Sequence, residues 1–153
     1  MPAKKLKDFL ESRGAKYVSI QHSPAFTASE IAASAHVTGR DFAKTVVVKM
    51  GDDLAMVVLP ANRKIMLSEL RDMIDEDIDL ATEDEFQERF PDCELGAMPP
   101  FGNLYGLPVY VERSLADEQE IAFSAGTHHE IILMAFDDYA DLVQPTVMEF
   151  ATA

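Results

Sequence analysis

The chain has 153 residues, 48% hydrophobic and 26% charged, a balance that fits one folded domain and excludes both a disordered chain and one buried in a bilayer. Its formal net charge of −14 argues against a protein that grips nucleic acid over a broad surface, because that affinity comes from basic residues displacing counterions. The charge is uneven. Residues 1–50 hold eight Lys and Arg against four acids, whereas twelve acids fall between Ser68 and Glu94. Any contact with an RNA end is therefore expected on the N-terminal half, at Arg40, with Arg63 and Lys64 added, and the acidic stretch reads as a solvated surface. The single Cys93 can form no internal disulfide. No apolar run approaches the ~20 residues of a spanning helix. The expectation is a cytoplasmic protein of one domain over 1–153, with no membrane and no DNA among its partners.

In chain order, Leu6, Phe9 and Leu10 have helical spacing, and Gly14 stops a first helix over about 3–13. Tyr17–Gln21 alternates as a short strand. Thr27 with Glu30 forms a capping-box pattern that opens a second helix near Ala28. Phe42–Met50 and Leu54–Leu59 are apolar, β-branched runs separated by Gly51-Asp52-Asp53, a hairpin signal. Leu67, Leu70, Met73 and Ile74 predict a third helix. Thr82 and Glu85 form a second capping box, opening a helix through Phe86 and Phe90 that Pro91 ends. Cys93–Pro108 is rich in Gly and Pro and reads as loop. Three more strands follow at Leu107–Glu112, Glu120–Ala125 and Glu130–Ala135, and Asp137 or Asp138 is expected to cap a last helix through Leu142. The pattern is α+β, a curved, mostly antiparallel or mixed sheet with helices around it.

Lys44 carries the most information. Alternate strand residues share a face, so Lys44 lies with Phe42, Val46 and Val48, and Thr45 lies with Ala43 and Val47. Both faces are largely apolar, so Lys44 either snorkels out at the strand start or points into a polar cavity. In Gly96-Ala97-Met98-Pro99-Pro100-Phe101-Gly102 the glycines allow close backbone approach and the prolines stiffen it, which suits N–H groups held as oxyanion donors. A bare connecting loop would look the same. His128 and His129 are adjacent and diverge on an extended segment, His22 and His36 lie fourteen residues apart, and Cys93 has no neighbouring cysteine. No metal is expected. No G-x-S-x-G and no phosphate-binding glycine motif occurs, so neither a cofactor nor covalent catalysis is expected.

These pieces share an order with a known family. His22-Ser23-Pro24-Ala25-Phe26-Thr27-Ala28-Ser29-Glu30-Ile31-Ala32, Lys44-Thr45-Val46-Val47-Val48-Lys49, Leu59-Pro60-Ala61 before Lys64, the G-x-x-x-P loop from Gly96 to Pro100, and Ser124-Ala125-Gly126-Thr127-His128 resemble the YbaK / prolyl-tRNA-synthetase-associated domain family. These are free-standing relatives of the editing domain inserted in some prolyl-tRNA synthetases. The resemblance spans nearly the whole chain. It implies a strongly curved, barrel-like mixed sheet surrounded by helices, and hydrolysis of the ester joining an amino acid to the 3′ end of tRNA. It assigns Lys44 to the lysine the family requires and Gly96 to the loop shaping the amino-acid pocket. Thr45, Ala97, Met98, Pro99, Pro100, Gly126, Thr127 and His128 become substrate-binding candidates.

The implied substrate is tRNA-Pro carrying a small amino acid such as Ala, Cys or Ser, and a prolyl-tRNA synthetase is the implied partner. Gly126-Thr127-His128 departs from the glycine-arginine context of the cysteine-removing members, so that specificity does not carry over. Two other readings use the same pocket: a non-catalytic module that binds aminoacyl-tRNA or a synthetase, and a hydrolase or binder of another small ester or nucleotide.

Overall fold

In the computed structural model, which describes residues 4–21 and 38–152, the first element is α1 (Lys4–Ser12), an amphipathic helix that buries Leu6 and Leu10. Gly14 at φ +66° turns the chain out of it, and β1 (Val18–Gln21) follows as the periodicity predicts. The helix expected after Thr27, together with His22 and His36, lies outside the described residues. Beyond it, β2 (Ala43–Met50) and β3 (Asp53–Pro60) pair antiparallel from Ala43↔Pro60 to Met50↔Asp53, the hairpin turning at Gly51 with φ +60°. Two-residue β4 (Lys64–Ile65) precedes α2 (Leu67–Ile74).

A short β5 (Ile78–Leu80) inside the acidic stretch was not legible, because its pairing with β2 is a tertiary event. The Thr82–Glu85 capping box is formed in both directions, and α3 (Glu83–Phe86) runs on only as a 3-10 turn over Gln87–Arg89. Through the Gly/Pro segment the sole regular piece among the described residues is a 3-10 turn at Gly102–Leu104. Then come β6 (Val109–Glu112), α4 (Arg113–Ala116), β7 (Glu120–Ser124), β8 (Glu130–Ala135), α5 (Phe136–Val143), β9 (Thr146–Met148) and β10 (Ala151–Thr152). Ala135, not an aspartate, is the N-cap of α5; Asp137 and Asp138 sit in its first turn, where they favour the positive end of the helix dipole.

The strands form a five-stranded mixed sheet, β5-β2-β3-β6-β9, a three-stranded sheet, β1-β8-β7, and the pair β10-β4. The barrel-like closure implied by the resemblance is not formed. Among the described residues β5 and β9 are edge strands, and one bridge, Phe42↔Ala122, joins the two larger sheets. Both faces of the five-stranded sheet are covered. Ala43, Val47, Met56, Val58, Val109 and Val111 enter the main core, whereas Val48, Ala55, Val57 and Leu59 pack with Leu70, Ile78 and Phe150 on the other side. In the main core, Phe101 meets Tyr139 edge-on at 5.3 Å and Phe123 at 5.4 Å, and the buried Tyr139 hydroxyl donates to Pro100 O at 2.6 Å. Gly102 is obligatory at this point, since a Cβ there would lie 2.6 Å from Leu107 O and from Val109 Cγ2. The aromatic core thereby fixes the C-terminal end of the Gly96–Pro100 loop.

Candidate functional site

Lys44 stands at the start of β2, and its half-buried ammonium donates to Arg63 O at 2.8 Å in the turn after β3. Burial lowers its pKa, and the neighbouring Lys64 charge lowers it further. Lys44 and Thr45, with Phe42, Ala43, Gly96, Met98 and Ser124, line a cavity of about 30 Å³. The strand lysine and the glycine loop, 52 residues apart in sequence, thus face one space.

The loop is held on its other side by the turn after β7. Glu94 N donates to Gly126 O at 2.8 Å and Gly126 N donates to Ala97 O at 2.9 Å. The Glu94 carboxylate accepts from His128 N at 2.7 Å, and His128 Nε2 lies 2.6 Å from Leu95 O. Gly96 has φ +84°, a backbone state that L side chains rarely adopt, and a Cβ there would meet His128 Cε1 at 3.4 Å. Ala97 N is taken by Glu94 O. The N–H groups of Gly96 and Met98 have no acceptor among the described residues, and Pro99 and Pro100 carry none.

Of the residues singled out from sequence, Lys44, Thr45, Gly96 and Met98 meet at the cavity. Ala97, Pro99 and Pro100 are buried behind it, and Gly126, Thr127 and His128 form the turn that clasps the loop. Arg63 and Lys64 flank the Lys44 ammonium. Arg40 is exposed and engaged with Glu118 at 3.1 Å. His128 and His129 form no metal-binding group with other residues among the described ones. Sequence reasoning missed Ser124 as a lining residue and Glu94 as the clasp. Glu94 had no signal, since its partner lies 34 residues away.

Cys93 is no nucleophile. Its Sγ lies 3.4 Å from Tyr105 Oη, and burial pushes the thiol up to about 11, so almost none is thiolate at neutral pH.

With this geometry in hand, the comparisons are specific. The family model described as the aminoacyl-tRNA editing domain matches residues 22–142. The chain belongs to that family. Solved structures show the same fold at low sequence identity. The hypothetical protein APE2540 is 18% identical over 97% of this chain and 100% of its own, with TM-score 0.86. A candidate trans-editing enzyme for prolyl tRNA synthetase is 21% identical over 99% of this chain and 97% of its own, with TM-score 0.83. A protein from Marinobacter aquaeolei VT8 described as a candidate for signal transduction is 15% identical over 97% of this chain but 30% of its own, with TM-score 0.79. The editing-domain fold therefore also occurs as a minor part of a longer chain. No curated protein matches the sequence. Among the described residues no helix is long and apolar enough to cross a membrane.

Proposed function

We propose that this editing domain is a trans-acting deacylase that hydrolyses the ester of a mischarged tRNA, tRNA-Pro bearing a small amino acid. The observation that carries the reading is the cavity between Lys44 and Gly96. It is small, partly polar and bounded by a loop whose N–H groups at Gly96 and Met98 have no acceptor among the described residues. An aminoacyl ester is already activated, so placement, an oxyanion pocket and a water molecule suffice without a protein nucleophile. Water adds to the carbonyl carbon, the carbonyl oxygen gains negative charge opposite the loop N–H groups, and the carbon–oxygen bond to the ribose breaks. The departing ribose oxygen takes the proton that the water gives up, through the vicinal hydroxyl. Free amino acid and uncharged tRNA result.

Lys44 acts as a positive anchor for the terminal phosphate or the ester. Its ammonium donates to Arg63 O, and a general base would need a pKa near the working pH. Arg63 and Lys64 extend the positive charge where the tRNA end would approach. A cavity of about 30 Å³ suits a small side chain better than the rigid, bulkier proline ring, a difference that would favour sparing the cognate product. The chain as a whole has a formal net charge of −14, which fits weak tRNA affinity and delivery by a prolyl-tRNA synthetase.

A deacylation panel over tRNA-Pro charged with Ala, Ser, Cys and Pro tests the reading. Turnover of one or more small esters with prolyl-tRNA spared is the expected result, unchanged by chelators. Tight binding of the same tRNAs with no turnover would make the domain a non-catalytic binding module instead.

A further inference from the structure

Thr45 sits on the β2 face that sends Ala43 and Val47 into the main core. Its Oγ1 is shielded from solvent and has no hydrogen-bond partner among the described residues. A hydroxyl in that state is a standing cost to the fold, and such groups persist where something else satisfies them. Thr45 lines the cavity beside Lys44 and Gly96, where Phe42, Ala43 and Met98 are apolar and the buried Ser124 is the other hydroxyl-bearing residue. The space is about 30 Å³, more than the ~10–15 Å³ that a single water needs in such a cavity.

We infer that Thr45 is the specificity-determining residue of the pocket, and that the preferred acyl group carries a β-hydroxyl, as in a seryl ester. The inference rests on the deacylase reading for the position of the ester and adds the side chain that is read. A hydroxymethyl group fits the space and pairs with Thr45 Oγ1, which can both donate and accept. An alanyl methyl also fits but leaves Oγ1 unpaired. A cysteinyl thiol is bulkier and a weak donor. Sites that hydrogen-bond a substrate hydroxyl reject the analogue lacking it far better than apolar pockets separate neighbours in size.

The test compares wild type, Thr45→Val and Thr45→Ser on seryl-, alanyl- and cysteinyl-tRNA, with binding of non-hydrolysable seryl- and alanyl-adenosine amides as a second readout. Wild type should favour the seryl ester over the alanyl by about tenfold or more. Thr45→Val should bring that ratio toward one by losing seryl activity, and Thr45→Ser should keep it. Because valine replaces an unpaired hydroxyl with a methyl of similar shape, Thr45→Val should melt no lower than wild type. An unchanged seryl preference in Thr45→Val, or a wild-type preference for alanyl or cysteinyl ester, overturns the inference. Failure of the deacylase reading looks different: no ester is turned over, yet the seryl amide still binds more tightly than the alanyl amide in a Thr45-dependent way. Equal binding of the two amides would sink the inference as well.

Discussion

Two half-buried polar clusters lie along the Cys93–Pro108 segment and its surroundings, and they are built in opposite ways. Around Tyr105 the phenol, the Cys93 thiol and the Asp92 carboxylate satisfy one another. The Tyr105 hydroxyl donates to Asp92 at 3.1 Å and contacts Cys93 Sγ at 3.4 Å, Phe90 stacks on its ring at 4.6 Å, and the Lys5 ammonium lies 4.6 Å above it. Burial and the adjacent thiol and carboxylate push the Tyr105 pKa up, so the phenol stays protonated as a donor. Around the cavity, among the described residues, Thr45 Oγ1 has no partner and the Gly96 and Met98 N–H groups have no acceptor. A cluster that satisfies itself is architecture. One that leaves hydrogen-bonding capacity pointed at an open space is where a ligand completes the structure.

The largest effect that would sharpen this contrast is expected from Lys44→Ala, which should lower deacylation by about 100-fold or more with an unchanged circular dichroism spectrum, because it removes placed charge without opening a core void. Near wild-type single-turnover rates in the folded variant would remove Lys44 from the site. Since burial lowers its pKa below the ordinary 10.5, activity corrected for spontaneous hydrolysis should decline with rising pH earlier than a free lysine would dictate.

Gly96→Ala comes next, at about tenfold in rate and about 1–2 kcal/mol in stability, through the strain of an L residue at positive φ. Chemical denaturation paired with kinetics checks it. A variant as active as wild type would break the link between loop geometry and chemistry.

Glu130→Gln probes the frame alone. The Glu130 carboxylate accepts from Ser19 Oγ and faces Lys7 Nζ, both at 2.5 Å, tying α1 and β1 to β8. Burial works to raise its pKa, but the Lys7 and Ser19 contacts outweigh it and the net shift is downward. Its stabilisation is therefore present above the ordinary 4.5 and is lost as pH falls through the depressed value. About 1–2 kcal/mol should disappear at neutral pH in the variant, the half-exposed Lys7 limiting the amount. The stability of Glu130→Gln should also fall less steeply in acid, which urea titrations at pH 7 and below pH 4 would measure. Smallest in activity is Tyr105→Phe, for which an unchanged deacylation rate and a loss of about 1 kcal/mol are expected. A marked rate defect there would erase the distinction between the two clusters.

What could be read from sequence divides along the same physical line. The hairpin at Gly51 and the capping box at Thr82 and Glu85 are set by neighbours in the chain, and both form as expected. β5, β9 and β10 have three residues or fewer, and each exists only because a distant strand accepts it. Openness of the sheets is likewise tertiary, because among the described residues the backbone link between them is the bridge of Phe42, just before β2, to Ala122 of β7. In the site, Lys44 was visible as a charge in an apolar strand and Gly96 as part of a stiffened loop. The clasp joining Glu94 and Leu95 to His128 was not, since no local pattern encodes a contact across 34 residues.

The pairing of β10 with β4 has a consequence for how the protein is made. Thr152 pairs with Lys64, Ala151 pairs with Ile65, and Met66 N donates to Phe150 O at 2.7 Å. These bonds brace from behind the turn whose Arg63 carbonyl holds the Lys44 ammonium. During synthesis the hairpin carrying Lys44 emerges before the strand that steadies its hydrogen-bond acceptor, since Thr152 follows its partner Lys64 by 88 residues, a delay of seconds at ordinary elongation rates. The lysine therefore acquires its final setting only once β10 has been made and has paired with β4, and a nascent polypeptide that stops short of β10 carries an unfinished pocket.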